Sequence, residues 1–314
     1  MMRRLAPAIA LLAMIAASGQ ATAQGRWGES YLPNLPVTTH RGETVRFYDD
    51  LLKGKIVVLS FIYTSCRDIC PMVTARLAQL EDRLGDAMGK DVFFVSVSVD
   101  PDVDTPAKLK EYADAFQAGS GWSFVTGKNE DIGAIRHKLG DRGAKISDHR
   151  NEVLIFNSAN GDWERGSVFG DINTLATAVR AMDPVWRAEH GKDQTQQRLA
   201  GNRAAPLHTN LPGQAMFAKT CGACHTVGRG HRVGPDLVNL MTRRSRDWVA
   251  RYVADPESLR KGQDATALAL AQRYPTVPMP RLGLAEGDVE DIMAYIEAQT
   301  FNVTASKPPS GHRH

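Results

Sequence analysis

The sequence predicts an α/β domain, a central mixed sheet flanked by helices, joined by a polar linker to a second, smaller domain. Three observations carry this. Apolar β-rich runs alternate with helical periodicities from residue 56 to 182. Residues 183–212 are polar and hold no sustained apolar period. A second closely spaced cysteine pair then opens a new stretch at residue 213.

Taken in order, residues 24–39 are expected to be an extended lead-in. Gly54 and Lys55 mark a turn, and Ile56 to Tyr63 is a buried-strand run that stops at Cys66 and Cys70. A helix follows. Asp68 is placed to cap it, Pro71 fits its first turn, and Val73, Leu77, Leu80 and Leu84 share one face. Val92 to Val99 is β-branched and aromatic, a central strand ending at Asp100-Pro101. Thr105-Pro106 opens a helix with Leu109, Tyr112, Ala113 and Phe116 on one side. Trp122 to Thr126 is a short strand and Asp131 to Leu139 a short helix. Val153–Phe156 and Gly166–Phe169 flank the turn-rich Asn157 to Asp162, predicting a hairpin, and Ile172 to Met182 closes the unit as a helix. The linker is helical at Gln194 to Leu199 at most. Residues 301–314, ending in SKPPSGHRH, read as a disordered tail in which His312 and His314 are solvated.

The formal charge is +3, from 38 basic and 35 acidic residues, and Arg3 and Arg4 supply two of the positive charges. That balance gives no reason to expect nucleic acid. Residues 1–23 read as a secretory signal: Arg3 and Arg4, an apolar run from Leu5 to Ala17, then Ala21-Thr22-Ala23 before Gln24. The run is short for a membrane span, which needs roughly 20 residues. The expectation is a periplasmic protein, touching a membrane only through a partner or an uncleaved signal anchor.

All four cysteines fall in two pairs, Cys66/Cys70 and Cys221/Cys224. The first pair lies at the positive end of a helix dipole, which favours thiolate. A structural bridge closing so short a loop would remove little chain entropy, so the pair reads as redox-active or metal-binding. Two sulfurs rarely complete a metal site. The best third ligand is His149, in Ile146-Ser147-Asp148-His149 just before the Val153 strand, with an exposed loop histidine as the alternative on the residues alone. His40, in the lead-in, and His137, on a helix face, are weaker candidates. Two thiolates and one imidazole suit copper, as Cu(I) or Cu(II). The same pair can also close a disulfide.

TVRFYDDLLKGKIVVLSFIYTSCRDICP, VSVSVDPDVDTPAKLKEYADAF and ISDH, within residues 31–182, resemble the Sco/SenC family of copper-delivery proteins. The resemblance implies a thioredoxin-like fold for 24–182 and copper ligation by Cys66, Cys70 and His149. It also implies delivery to the copper A centre of cytochrome c oxidase, or reduction of that centre's cysteines. Arg67 departs from the family, which usually has proline there, and adds a positive charge beside the sulfurs.

Cys221-Gly222-Ala223-Cys224-His225 is Cys-x-x-Cys-His, the attachment pattern of c-type haem. Two thiols add across the vinyl groups while the adjacent imidazole faces the iron. GQAMFAKTCGACHTV, VGPDL, PMPRL and DVEDIMAYI, in residues 213–300, resemble class I cytochromes c. The resemblance implies an all-α domain with one covalently attached haem c. Met279, held between Pro278 and Pro280, is the expected second axial ligand beside His225. Met241 and His231 are rivals, and Met293 reads better as core. Pro235 resembles the position whose carbonyl orients His225, and Phe217 and Tyr295 the pair that locks the first and last helices.

Dithiol couples lie near −120 to −270 mV, and His/Met ligation raises haem potential, so electrons should run from reduced thiols or Cu(I) toward haem. The leading expectation is a periplasmic metallochaperone and electron carrier. Its acceptor is the copper-site subunit of the oxidase, with an upstream copper donor and electron-transfer partners. The alternatives are a thiol–disulfide reductase acting through Cys66 and Cys70, and a haem-linked redox sensor or carrier tuned by copper.

Overall fold

A computed structural model describes residues 31–143, 152–190 and 211–305. Its first domain is a seven-stranded mixed sheet in the order β2-β1-β5-β4-β3-β6-β7. The strands are β1 (Pro36–Thr39), β2 (Thr44–Arg46), β3 (Ile56–Ile62), β4 (Val92–Ser98), β5 (Trp122–Thr126), β6 (Val153–Asn157) and β7 (Asp162–Gly166). The helices are α1 (Phe47–Leu51), α2 (Ile69–Leu84), α3 (Pro106–Ala115), α4 (Asn129–Lys138) and α5 (Ile172–Arg180). β3 pairs parallel to β4 from Ile56↔Val92 to Ile62↔Ser98, and antiparallel to β6. β3 is buried along its whole length, as expected for a strand covered on both faces.

Alternation along β3 divides the core. Ile56, Val58 and Ile62 pack with Leu77, Leu80, Leu109 and Val179 of α2, α3 and α5. Val57, Leu59 and Phe61 pack with Phe47, Leu51, Ile132 and Ile135 of α1 and α4. Two serines interrupt the apolar strands and satisfy each other: Ser60 Oγ lies 2.9 Å from Ser96 Oγ, which also accepts the Trp122 indole N–H at 2.9 Å. Thr105 caps α3 by accepting the Lys108 N–H, and Asp171 caps α5 by accepting that of Thr174.

Four expectations change. The lead-in contributes β1, which pairs with β5. The hairpin's second strand is Asp162–Gly166, set by the Asn157↔Asp162 pairing. It is a polar edge strand, while the apolar Val168 is buried in the loop that follows. Residues 184–190 of the expected linker form a helix, α6, and 191–210 lie outside the described residues. The last helix runs to Ala305, into the expected tail, because the whole segment continues one helical pattern from Glu286.

The second domain contains only helices among its described residues: α7 (Gln214–Met216) continuing as a π-helical turn (Phe217–Cys221), α8 (Leu240–Arg243), α9 (Arg246–Ala254), α10 (Pro256–Lys261), α11 (Ala265–Arg273) and α12 (Glu286–Ala305). Ser245, Asp255 and Asp264 each accept a backbone N–H and cap α9, α10 and α11. Phe217 meets Tyr295 with ring centroids 5.0 Å apart, joining the first helix to the last. Gly213 sets the distance of that crossing. A Cβ there would lie 2.2 Å from the Asp291 carbonyl oxygen, and its φ of 77° suits glycine.

Candidate functional site

Cys66 lies in the turn after β3, and Cys70 is the second residue of α2. Both are buried, and neither is in a disulfide. Asp68 precedes the helix but makes no side-chain capping bond. Instead the Cys70 N–H donates to Cys66 Sγ at 3.4 Å, so the sulfur accepts one of the helix's unpaired amides. The two thiols are driven apart. Hydrogen bonding from the Cys70 side chain, then from backbone N–H groups, holds the Cys66 thiol well below its ordinary range, against the opposing effect of burial. Cys70, which donates to Cys66 and is itself buried, is pushed up. One proton is shared, with thiolate character on Cys66. Arg67 is exposed, and hydrogen bonds are the leading cause of the Cys66 shift.

Asp104 anchors the loop that carries Cys66. This fully buried carboxylate accepts the Thr64 N–H at 3.1 Å, the Thr64 hydroxyl at 2.5 Å and the Ser98 hydroxyl at 2.6 Å. The sequence hinted at it only through a cluster of aspartates before Thr105-Pro106.

His149 lies outside the described residues. Among the described residues, no group of three His, Cys, Asp or Glu side chains forms a metal cluster. His40 is buried against β5. Its Nδ1 accepts the Phe124 N–H at 3.2 Å and its ring meets Phe124 edge-on, while burial and Arg41 lower its pKa. That is a packing role. His137 is exposed on α4.

In the second domain, His225 Nδ1 lies 2.9 Å from the Pro235 carbonyl oxygen. The nitrogen donates to that carbonyl, so Nε2 keeps its lone pair for a metal. The preceding Gly234 lets the loop touch the ring: a Cβ there would stand 2.4 Å from His225 Cε1. Burial pushes the Cys221 and Cys224 thiols up to about 12, keeping both protonated. Cys221, Cys224, His225 and Met279 line one cavity of about 30 Å³. Met293 is instead fully buried with Val249 and Val289, Met241 packs beside them, and His231 stacks on Tyr274. Two neutral thiols, an imidazole whose Nε2 keeps its lone pair and a thioether, gathered around one small cavity, are by their chemistry the donor set of a covalently attached haem c. No described helix is long and apolar enough to cross a membrane.

These features define a protein of two redox-capable units, an α/β dithiol domain and a helical haem-attachment domain. The family model for SCO1/SenC matches residues 29–159, and that for cytochrome c matches 211–300, so the chain carries a SCO1/SenC domain joined to a cytochrome c domain. The SCO1 protein homolog of Bacillus subtilis is 39% identical over 80 residues, 25% of this chain and 41% of its own length. A putative copper-binding protein of Stutzerimonas stutzeri is 26% identical over 132 residues, 42% of this chain and 63% of its own. The chain thus spans less than two thirds of either relative. The crystal structure of a SCO1/SenC family lipoprotein from Bacillus anthracis is similar at 26% identity with a TM-score of 0.42, covering 50% of this chain and 98% of that one.

Proposed function

We propose that the chain is an exported copper-delivery protein for assembly of the copper A centre of cytochrome c oxidase, with a fused electron-transfer haem. Copper is the cargo of Cys66, Cys70 and His149. Haem c is attached through Cys221 and Cys224, with His225 and Met279 as its axial ligands. The functional units are 24–182 and 213–305. The observation that carries this reading is the Cys66/Cys70 pair at the β3–α2 junction of a SCO1/SenC domain, where one sulfur is already stabilised as thiolate. Soft thiolates hold Cu(I), and an imidazole extends the site to Cu(II). The copper-binding name of the Stutzerimonas relative agrees with it. The partners are the oxidase subunit that accepts copper, a copper donor and an electron acceptor. The protein acts in the periplasm, at the membrane only through its partner or an uncleaved signal.

A thiol–disulfide reductase is the second reading, favoured by the asymmetry of the pair. A lowered Cys66 beside a raised Cys70 is a nucleophile with a protonated resolving thiol. Anaerobic copper titration of reduced holo-protein and of His149→Ala separates the two. Copper delivery expects one copper per wild-type chain and at least a tenfold loss of affinity in the variant, with dithiol exchange retained. Equal copper affinity in both proteins would remove His149 and leave the reductase.

A further inference from the structure

The cytochrome domain's haem-attachment edge rests on α2, the helix that begins at the dithiol. A cavity of about 1060 Å³ lies between the domains, with Arg76, Asp82 and Phe169 on one side and Phe217, His225 and Tyr295 on the other. The smaller cavity holding Cys221, Cys224, His225 and Met279 is also walled by Met72 and Arg76 of α2. Ala223, Val233 and Val277 are buried in the same apolar cluster as the inner faces of α2 and α5. At the rim, Arg232 ion-pairs with Asp82 at 2.5 Å.

Arg76 is common to both cavities. It is only 4% exposed, six residues beyond Cys70 and so about 9 Å along the helix axis. Its Nε donates to the Val168 carbonyl at 2.8 Å and one terminal nitrogen to that of Gly170 at 2.7 Å. The other donates to Gln79 Oε1 at 2.6 Å. All three acceptors are neutral, and Asp171 acts on the guanidinium through space alone. The group does not deprotonate. Its charge is therefore fixed in position without a contact carboxylate among the described residues.

We infer that α2 of the dithiol domain forms a wall of the haem site and that Arg76 is a positioning residue whose fixed positive charge raises the haem's reduction potential. This rests on the haem reading above. Ferric haem carries one more positive charge than ferrous haem, and a fixed cation in a poorly solvated wall disfavours the ferric form. The potential then depends on how α2 sits, which couples the dithiol domain to the haem, and the coupling is reciprocal.

The test is a reductive titration of full-length holo-protein, after haem attachment has been verified by its haemochrome spectrum. Arg76→Gln should lower the ferrous-to-ferric ratio at fixed poise about tenfold, equivalent to about 59 mV for one electron. Arg76→Lys should keep most of the wild-type value. Lysine retains the charge but cannot reproduce a fork to two carbonyls. Gln79→Glu, which leaves Arg76 in place and sets a carboxylate on it, should also lower the ratio. Equal shifts in the Lys and Gln variants would mean that Arg76 only pins the 167–171 loop, and would overturn the inference. So would potentials unchanged by both Arg76→Gln and Gln79→Glu. A wild-type chain without haem would overturn the haem reading and this inference with it, whereas a haem indifferent to these variants overturns this inference alone.

Discussion

The two cysteine pairs stand at opposite ends of helices. Cys66 and Cys70 lie where α2 begins, and Cys66 Sγ takes an amide hydrogen that the helix cannot satisfy internally. Cys221 closes the helical segment from Gln214, and Cys224 follows it. There the dipole turns its negative end toward the sulfurs, and burial raises both thiols to about 12. The same residue is thus a thiolate donor in one domain and a neutral thiol in the other. Soft-metal capture and disulfide exchange need the first. Thioether formation uses the second, adding S–H across a double bond and placing the proton on carbon.

The largest expected effect breaks or keeps that contrast directly. In reduced, metal-free and haem-free protein at pH 7, alkylation should label Cys66 on the order of 100-fold faster than Cys70, Cys221 or Cys224, as thiolate fraction sets reactivity. The sign of the pH dependence follows. Because the Cys66 value is lowered on folding, its labelling persists well below the ordinary thiol pKa of about 8.5 and fails only as pH falls through the folded value. The same shift adds stability that is complete above the unfolded value and is lost through that window on acidification. Mass spectrometry finding the four sites equally labelled would end the comparison.

A smaller effect concerns what holds the first pair in place. Asp104→Ala leaves the Thr64 N–H and hydroxyl and the Ser98 hydroxyl without their acceptor, in a buried place. Urea unfolding should show a loss of about 2–4 kcal/mol. A midpoint within error of wild type would show that Asp104 does not anchor the dithiol loop. The loop after the second pair is held by a less buried carboxylate, Asp236, which accepts the N–H groups of Gly228, Gly230 and Val238, and by backbone contacts, Gly234 N–H to the Cys224 carbonyl and Leu237 N–H to that of Thr226, each at 2.8 Å.

The layers of the first domain were legible because burial follows period. Val73, Leu77, Leu80 and Leu84 are buried as the helical spacing required, and β3 and β4 read as strands from β-branched runs. β7 was misplaced because Asp162–Gly166 is a polar edge strand, paired through its backbone while its side chains meet solvent. The Cys-x-x-Cys-His turn was legible because attachment geometry fixes local spacing. Asp104 was not, because its partner Thr64 is 40 positions away and only the sheet brings them together. Arg76 was hidden for a similar reason: it falls among buried apolar positions of α2, and two of its three acceptors lie over 90 residues later. His149, expected as the third ligand, lies outside the described residues.

The smallest effect sharpens the contrast at the start of α2. An aspartate before a helix is expected to cap it, and losing such a cap costs about 1 kcal/mol. Here Asp68 is exposed and makes no capping bond, while the Cys66 sulfur occupies the amide. Asp68→Ala should therefore change the stability of the reduced protein by less than about 0.5 kcal/mol. Cys66→Ala, which leaves the Cys70 N–H without its acceptor, should cost more. Chemical denaturation of both variants against wild type decides it. If Asp68→Ala loses a full cap's worth and Cys66→Ala does not, the carboxylate caps α2, and the helix amide does not contribute to the lowered Cys66 thiol. The contrast between the two cysteine pairs would then rest on the Cys70 thiol that donates to Cys66, not on the end of the helix.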